Sequence, residues 1–306
     1  IKIFNSEGFK LADSIEAKIE DIIIKKTVIN SDISGEKLGK CIEAEEDALE
    51  LYSDFLESTV DISLEGMRIV IDCANGASYK VAEKVFLDLG AEVIAIGNKP
   101  NGTNINDNCG STHPQNLQLK VVETNANIGF AFDGDADRLI AVDEKGEIID
   151  GDKIVCICAR MLFESGKLKG NKVTSTIMSN LGLFQYLEKI GIEVDVADVG
   201  DRYVLESMRK TGCVLGGEQS GHVIFLDHST TGDGVLSALQ FLVAGKMFKE
   251  SPSQLASEID ILPQVLVNAS VKNENKKLYL EDNEITTKII ETEAIMKGNG
   301  RVLVRP

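Results

Sequence analysis

The sequence predicts an α/β fold with two tandem, similar domains, each built on a mixed sheet. A length of 306 residues corresponds to about two domains of ~150 residues each. From Met67 onward, short apolar strand patterns alternate with amphipathic helix patterns, as in α/β proteins. The segments Phe86–Val93 and Tyr186–Val194 match in kind nearly position by position, which indicates a repeated unit.

Two helices and a short strand are predicted before the first repeat. Ile1–Phe4 has the pattern of a strand. Asp13 and Glu16 resemble a capping pair at a helix start, and isoleucines follow at helical spacing. A second helix is expected over residues 37–57, with an acidic face exposed to solvent.

The first repeat alternates strands and helices, and Gly90 ends its first helix. Its last two strands flank a short acidic loop. The strand before the loop is apolar throughout, as expected for a strand covered on both faces. The predicted elements are strands at Arg68–Ile71, Glu92–Ile96, Ile128–Phe132 and Leu139–Asp143, and helices at Tyr79–Leu89 and Asn116–Thr124.

The second repeat follows the same order after a joining helix at Asp152–Glu164. Its predicted elements are a helix at Leu181–Lys189 and strands at Val173–Met178, Glu193–Ala197, Cys213–Leu215 and Val223–Leu226. Further strands are expected at Gln264–Val271 and 301–306. Because strands at both ends of the chain would lack neighbours, the sequence is expected to be a fragment.

Composition and charge exclude several classes of function. Acidic residues outnumber basic ones, 49 to 32, for a formal net charge of −17, so neither nucleic acid nor anionic membrane is an expected partner. No apolar run approaches the ~20 residues of a membrane-spanning helix. The six cysteines show no C-x-x-C spacing, which favours reduced, buried thiols in a cytoplasmic protein.

The strongest chemical signal is the acidic loop, Asp133-Gly-Asp-Ala-Asp-Arg138. Three carboxylates at alternate positions can turn inward on one tight loop, where they repel one another unless a cation neutralises them. Oxygen ligands favour a hard cation, Mg²⁺ first and Ca²⁺ or Mn²⁺ second. Arg138 cannot be a ligand, but it could hold a phosphate beside the metal. The loop follows a buried strand, which favours a ligand site over an exposed acidic turn.

Two other motifs share this acidic pattern. An EF-hand loop has Gly where this sequence has Arg138, and helices rather than strands flank it, so that interpretation fails. In an aspartyl-phosphate phosphatase, Asp133 would attack a phosphate and Asp135 would act as the acid. That alternative stays open, although it leaves Asp137 and Arg138 without an obvious role.

A glycine-rich loop, Gly216-Gly-Glu-Gln-Ser-Gly-His222, lies between the last two strands of the second repeat. Glu218, Ser220 and His222 alternate along it, and a carboxylate, a hydroxyl and an imidazole on one side suit a polyhydroxylated ligand such as a sugar. A glycine-rich hairpin with polar tips would look the same, so this loop alone leaves both interpretations open. Two further candidates for substrate contact lie in Gly200-Asp201-Arg202, which is predicted to end another strand: Asp201 and Arg202.

With these loops, the sequence resembles the α-D-phosphohexomutase family, and most closely its bacterial phosphoglucosamine mutase branch. The acidic loop resembles the family's metal loop. Gly217-Glu-Gln-Ser-Gly-His222 resembles its sugar-recognition loop, and Gln219 favours the glucosamine branch. Gly200–Glu206 and Thr230–Gly234 also resemble that branch, and the resemblance covers essentially the whole chain.

The resemblance implies four domains, with partial first and fourth domains flanking the two α/β repeats. Residues 1–60 resemble the end of domain 1, 61–150 domain 2 with the metal loop, 151–262 domain 3 with the sugar loop, and 263–306 the start of the phosphate-binding domain 4. The family's phosphoserine loop, of the type Ser-x-Ser-His-Asn-Pro, would precede Ile1. Its fourth-domain phosphate loop would continue after Arg305-Pro306.

The implied activity is interconversion of glucosamine 6-phosphate and glucosamine 1-phosphate, on the route to UDP-N-acetylglucosamine and the cell wall. An enzyme phosphoserine donates its phosphoryl group to give glucosamine 1,6-bisphosphate, the intermediate and activator. The implied cofactor is Mg²⁺, and the implied partner is a phosphorylated amino sugar, with a homodimer as one allowed assembly. Without the serine loop, the chain alone is expected to turn over little or no substrate.

The resemblance also implies roles for individual residues. Asp133, Asp135 and Asp137 would bind the metal, and Arg138 would steady the transferring phosphoryl group. The implied substrate contacts are Glu218, Ser220, His222, Asp201, Arg202 and Arg305. Two alternatives stay open: a phosphomannomutase/phosphoglucomutase of the same family, and a metal-dependent sugar-phosphate-binding module without turnover.

Overall fold

Two mixed β-sheets, one in each predicted repeat, organise the chain. The computed structural model describes residues 3–26, 39–40, 45–272, 275, 278–297 and 300–304. Ahead of the sheets lie helices α1 (Asp13–Ile24) and α2 (Glu45–Ser58). The structure describes α2 over most of the helix predicted at 37–57. Of residues 37–44, only 39 and 40 are described, and they are not helical.

The first sheet has the strand order β2-β1-β3-β4-β5. Its elements are β1 (Arg68–Asp72), α3 (Val81–Asp88), β2 (Glu92–Ile96), α4 (Gln115–Thr124), β3 (Ile128–Phe132), β4 (Leu139–Asp143) and β5 (Ile148–Ile149). β1 pairs in parallel with β2 and β3, whereas β4 is antiparallel to β3 and β5. Every residue of β3 is buried, as predicted. The acidic loop therefore connects two buried strands of a hairpin.

The second sheet, of order β7-β6-β8-β9, repeats the plan of the first. Its elements are α5 (Gly151–Glu164), β6 (Lys172–Thr176), α6 (Leu181–Lys189), β7 (Glu193–Ala197), α7 (Asp201–Thr211), β8 (Leu215–Gly217) and β9 (Val223–Phe225). β6 pairs in parallel with β7 and β8, and β9 is antiparallel to β8. The glycine-rich loop thus joins β8 to β9 at the place where the first sheet carries the acidic loop.

Helix α8 (Gly234–Phe248) joins the two repeats into one core. It contacts β3 and β4 of the first sheet, β9 of the second, and α5. Phe130 of β3 stacks on Phe86 at 5.7 Å and meets Phe241 of α8 edge-on at 6.4 Å. These rings belong to one buried cluster that extends to Leu215 of β8. The two repeats therefore share one hydrophobic core. The short helix α9 (Pro252–Ser257) follows α8, and α10 (Asn283–Met296) lies near the end of the chain.

The structure differs from the predictions at both ends of the chain. α1 begins at Asp13 with Ala12 as its N-cap, so the predicted capping pair is wrong. Phe4 forms a single bridge to Lys10 instead of a strand, and Ile1 lies outside the described residues. The strand predicted at Gln264–Val271 is also wrong. A strand needs a paired neighbour, and no described strand lies beside this exposed segment. Residues 301–304 are likewise not a strand.

The described cysteines agree with the expectation of buried, reduced thiols. Five cysteines are buried free thiols, and Cys41 lies outside the described residues. None of the helices that the structure describes is long and apolar enough to cross a membrane.

Candidate metal and sugar-phosphate site

The acidic loop brings its three aspartates together at the end of β3. Carboxylate oxygens of Asp133, Asp135 and Asp137 lie within 4.8 Å of one another. Asp133 is only 8% exposed, whereas Asp135 is open to solvent. Burial, reinforced by the charges of Asp137 and Asp135, raises the pKa of Asp133 to about 6. The set therefore offers clustered oxygen donors whose mutual repulsion a hard divalent cation would relieve.

Neighbouring backbone groups hold the acidic loop in shape. Ala136, between two of the aspartates, adopts a left-handed conformation with φ of 61°. Its carbonyl accepts the N–H of Gly234 at 2.9 Å, and the carbonyl of Gly134 accepts the N–H of Ala77 at 2.9 Å. A side chain at Gly134 would lie 2.7 Å from Ile105. The loop conformation is thus set by contacts from both repeats.

Arg138 stands at the edge of the aspartate cluster. Its Nε atom lies 3.9 Å from Oδ2 of Asp133 and 3.9 Å from Oδ1 of Asp137. Its backbone N–H donates to Oδ1 of Asp133 at 3.1 Å. The side chain is nonetheless 44% exposed, so the guanidinium can reach a phosphoryl oxygen bound beside the loop.

The glycine-rich loop of the second sheet contacts the acidic loop of the first. Arg138 and His222 form an antiparallel bridge, and the N–H of Leu139 donates to the carbonyl of Gly221 at 3.0 Å. Gly221 has φ of 93°, and a side chain there would collide with the Leu139 carbonyl. The two hairpin loops therefore form one continuous site.

His222 is buried in this junction, at 2% exposure. Its Nε2 atom accepts the N–H of Gly232 at 3.2 Å, which leaves Nδ1 as the nitrogen that carries a proton. Nδ1 lies 3.3 Å from Oδ2 of Asp137, within ion-pair distance. A side chain at Gly232 would come within 2.5 Å of the ring. Both ring nitrogens are thus engaged, and the structure places His222 against a candidate metal ligand.

Glu218 links the glycine-rich loop to the start of α7. Its Oε1 atom accepts the N–H of Gly200 at 3.0 Å, directly before Asp201 begins the helix. The structure therefore places the Glu218 carboxylate beside the start of α7, where Asp201 is the first helical residue. Asp201 begins a helix, so the prediction that it lies at the end of a strand is wrong.

A cleft beside these residues separates α7 from the hairpin at residues 4–10. Asp201, Arg202 and His222 line it. Arg202 also forms an ion pair with Glu206 at 2.8 Å. Ser220 is exposed at the tip of the glycine-rich loop, and Arg305 lies outside the described residues.

Two residues that the sequence analysis gave no role lie behind the acidic loop. Asp233 is 8% exposed, and it caps α8 by accepting the N–H of Leu236 at 2.9 Å. The hydroxyl of Tyr52 donates to its other carboxylate oxygen at 2.6 Å. Asp233 could have been found from the sequence, because the segment Thr230–Gly234 resembles the phosphoglucosamine mutase branch. No pattern in the sequence connects it with Tyr52.

Comparisons with known proteins agree with this architecture. The family models for phosphoglucomutase/phosphomannomutase α/β/α domains II and III match residues 50–146 and 150–261. Curated phosphoglucosamine mutases of Acetivibrio thermocellus and Clostridioides difficile are 51% and 52% identical to the chain over its whole length. The chain spans 68% of the length of each.

Solved structures share the fold. A phosphoglucomutase/phosphomannomutase family protein of Burkholderia thailandensis matches with a TM-score of 0.65 at 27% identity, over 81% of this chain and 52% of that one. Aspergillus fumigatus N-acetylphosphoglucosamine mutase, in complex with GlcNAc-6P and magnesium, matches in fold with a TM-score of 0.62 at 15% identity, over 88% of this chain and 76% of its own. With its two repeated sheets and the sequence identity to curated relatives, the chain belongs to the phosphoglucosamine mutases, a family of phosphohexomutase isomerases.

Proposed function

We propose that this chain supplies the metal-binding and sugar-recognising loops of an enzyme that interconverts glucosamine 6-phosphate and glucosamine 1-phosphate. The observation that carries the proposal is the junction of the two hairpin loops, in which the His222 ring lies 3.3 Å from the Asp137 carboxylate. The A. fumigatus relative, crystallised with GlcNAc-6P and magnesium, supports a phosphorylated amino sugar as the ligand class.

The aspartate cluster fits a magnesium ion. Asp133, Asp135 and Asp137 offer oxygen donors within 4.8 Å of one another, and Mg²⁺ prefers oxygen ligands. The raised pKa of Asp133 reflects a buried carboxylate that a cation would stabilise as an anion. When bound, Mg²⁺ would neutralise charge on the phosphoryl group during transfer.

The neighbouring side chains have distinct roles in the proposal. The exposed guanidinium of Arg138 binds oxygens of the transferring phosphoryl group. Glu218 and Ser220 bind sugar hydroxyls. The buried ring of His222 holds Asp137 in place and so helps to set the pose of the sugar indirectly. Three further residues complete the substrate contacts: Asp201 and Arg202 in the cleft, and Arg305 at the distal phosphate.

The phosphoryl donor in the proposal is a phosphoserine. Its phosphoryl group passes to the sugar to give glucosamine 1,6-bisphosphate, and the other phosphate of this intermediate returns to the serine. No Ser-x-Ser-His-Asn-Pro motif occurs in the 306 residues, so the chain alone is expected to bind metal with little or no turnover. The domain limits 61–150 and 151–262, each enclosing one sheet, belong to the same proposal.

Assembly and location complete the proposal. The free, buried thiols are typical of a reducing compartment, which supports the cytoplasm. A homodimer stays a prediction.

The test uses the complete protein with its serine loop. Turnover of glucosamine 6-phosphate is expected to exceed that of mannose and glucose phosphates, and Asp135→Asn is expected to abolish it. Asp227→Asn, which removes only a surface ion pair with Lys169, serves as the control. Turnover that survives Asp135→Asn, or a preference for mannose or glucose phosphates, would contradict the proposal.

A further inference from the structure

Tyr52 of α2 reaches the back of the aspartate cluster through Asp233. We propose that Tyr52 is a positioning residue for the metal ligands, acting through Asp233 and the first turn of α8. The inference rests on the proposed metal-binding function, because it assigns the loop's ligand role to Asp133, Asp135 and Asp137.

The first link joins Tyr52 to a buried carboxylate. The Tyr52 hydroxyl donates to Oδ2 of Asp233 at 2.6 Å. Asp233 is 8% exposed, so water cannot easily replace a lost donor. Burial raises the pKa of Asp233, and the Tyr52 bond opposes that rise. Tyr52 therefore stabilises this carboxylate as an anion in a fixed orientation.

The second link joins Asp233 to helix α8. Its Oδ1 atom accepts the N–H of Leu236 at 2.9 Å, so the same carboxylate caps the helix. Its backbone carbonyl accepts the hydroxyl of Ser237 at 2.7 Å. With one oxygen bonded to the helix and the other to Tyr52, Asp233 fixes the position of the first turn of α8.

The third link joins α8 to the aspartate cluster. The N–H of Gly234 donates to the carbonyl of Ala136 at 2.9 Å. A side chain at Gly234 would lie 2.5 Å from the carbonyl of Arg138, so the two backbones are in direct contact. Ala136 lies between Asp135 and Asp137 and has a left-handed backbone. A shift at the start of α8 is therefore transmitted to both carboxylates.

The chain offers a matched control at Tyr186. Its hydroxyl also donates to a single carboxylate, Oε2 of Glu258, at 2.9 Å. Tyr186 lies in α6 and Glu258 follows α9, and neither lines the cleft or the acidic loop. Tyr52→Phe and Tyr186→Phe therefore remove the same chemical group. Tyr52 belongs to the series of contacts that leads to the aspartate cluster, and Tyr186 does not.

The experiment measures two quantities on this chain. Calorimetric titration with Mn²⁺ should show affinity about three- to tenfold lower in Tyr52→Phe and unchanged within about twofold in Tyr186→Phe. In the metal-free proteins, ¹⁵N NMR should show shifted amide signals for Gly234 and Asp137 in Tyr52→Phe and not in Tyr186→Phe. Circular dichroism establishes that each variant is folded.

The outcomes separate the inference from the proposed function. Absence of Mn²⁺ binding by the wild-type chain would contradict the proposed function, and the amide shifts would then decide the inference alone. If the wild type binds Mn²⁺ but the two variants agree in affinity or in amide shifts, the inference is overturned. Asp233→Asn, which keeps the side-chain shape, is the second variant should Tyr52→Phe not fold, and it should weaken Mn²⁺ binding in the same direction.

Discussion

The imidazole of His222 lies 3.3 Å from the carboxylate of Asp137, measured from Nδ1 to Oδ2. This contact joins the two repeats at their functional loops, since the acidic loop closes the β3–β4 hairpin and the glycine-rich loop closes the β8–β9 hairpin. Repetition of one sheet plan thus places two different loops face to face. One carries the clustered carboxylates of the proposed metal site, and the other carries the polar groups proposed to bind the sugar.

Replacing His222 is expected to weaken metal binding. His222→Ala removes the ring nitrogen that lies 3.3 Å from Asp137, and Mn²⁺ affinity should fall about 10–100-fold, the range typical for loss of a group that orients a metal ligand. His222→Asn places an amide N–H near the position of Nδ1 and should retain most of the affinity. Calorimetric titration measures both variants. Equal affinities in the Ala variant and the wild type would show that the histidine does not orient Asp137.

Arg138→Lys separates phosphoryl stabilisation from metal binding. The guanidinium lies 3.9 Å from each of two aspartates, so the loop depends little on it. In the complete enzyme we expect kcat to fall about 100-fold or more, because a point charge cannot reproduce the planar fork of donors. Mn²⁺ affinity should change by less than about threefold. A loss of affinity as large as the loss of kcat would assign Arg138 to the metal loop instead.

Gly221→Ala is expected to open the junction between the two loops. The residue has φ of 93°, and its new side chain would collide with the Leu139 carbonyl. Backbone strain alone costs about 1–3 kcal/mol, and the collision adds to it. Gly212→Ala is the matched control, because Gly212 also has a positive φ of 78° but faces open space. Urea denaturation should show the larger loss of unfolding free energy in Gly221→Ala, and equal losses would contradict the proposed packing.

Ionisation of Asp152 is expected to make the stability of the folded chain depend on pH. It is fully buried, and burial raises its pKa to about 7, although the N–H of Asn180 donates to Oδ2 at 2.6 Å. Because this pKa is higher in the folded chain than in the unfolded one, the folded chain binds the proton more tightly. The stability that this provides is therefore lost as pH rises through about 7.

Asp152→Asn cannot ionise and removes this dependence. Between pH 5 and pH 8, the unfolding free energy of the wild type should fall relative to the variant by about 2–3 kcal/mol. Chemical denaturation at several pH values measures the difference. Parallel pH profiles for the two proteins would mean that Asp152 does not titrate in this range.

Local patterns in the sequence were enough to predict most strands of the two sheets and the acidic loop. The continuous apolar run Ile128–Phe132 is buried at every position, and the aspartates that follow it do converge. Such features depend on neighbouring residues, so a sequence records them directly. Helix α8 was missed for the opposite reason, because it is buried on nearly all sides and has no polar stripe to show a helical period.

Contacts between distant residues could not be predicted in the same way. Glu218, Ser220 and His222 alternate along the loop, which suggested one shared face toward a sugar. The left-handed turn at Gly221 instead places the His222 ring against Asp137. The bond between Tyr52 and Asp233 spans 181 residues of sequence. Pairs of this kind are brought together only by the packing of α2 and α8 in the folded chain.

Anomalous diffraction from crystals soaked in Mn²⁺ tests the central claim most directly, because it locates the ion beside the side chains that hold it. The proposed site predicts one strong peak among the carboxylates of Asp133, Asp135 and Asp137, within about 2.3 Å of an oxygen from each. Carboxylates turned away from one another, with no peak between them at saturating Mn²⁺, would contradict it.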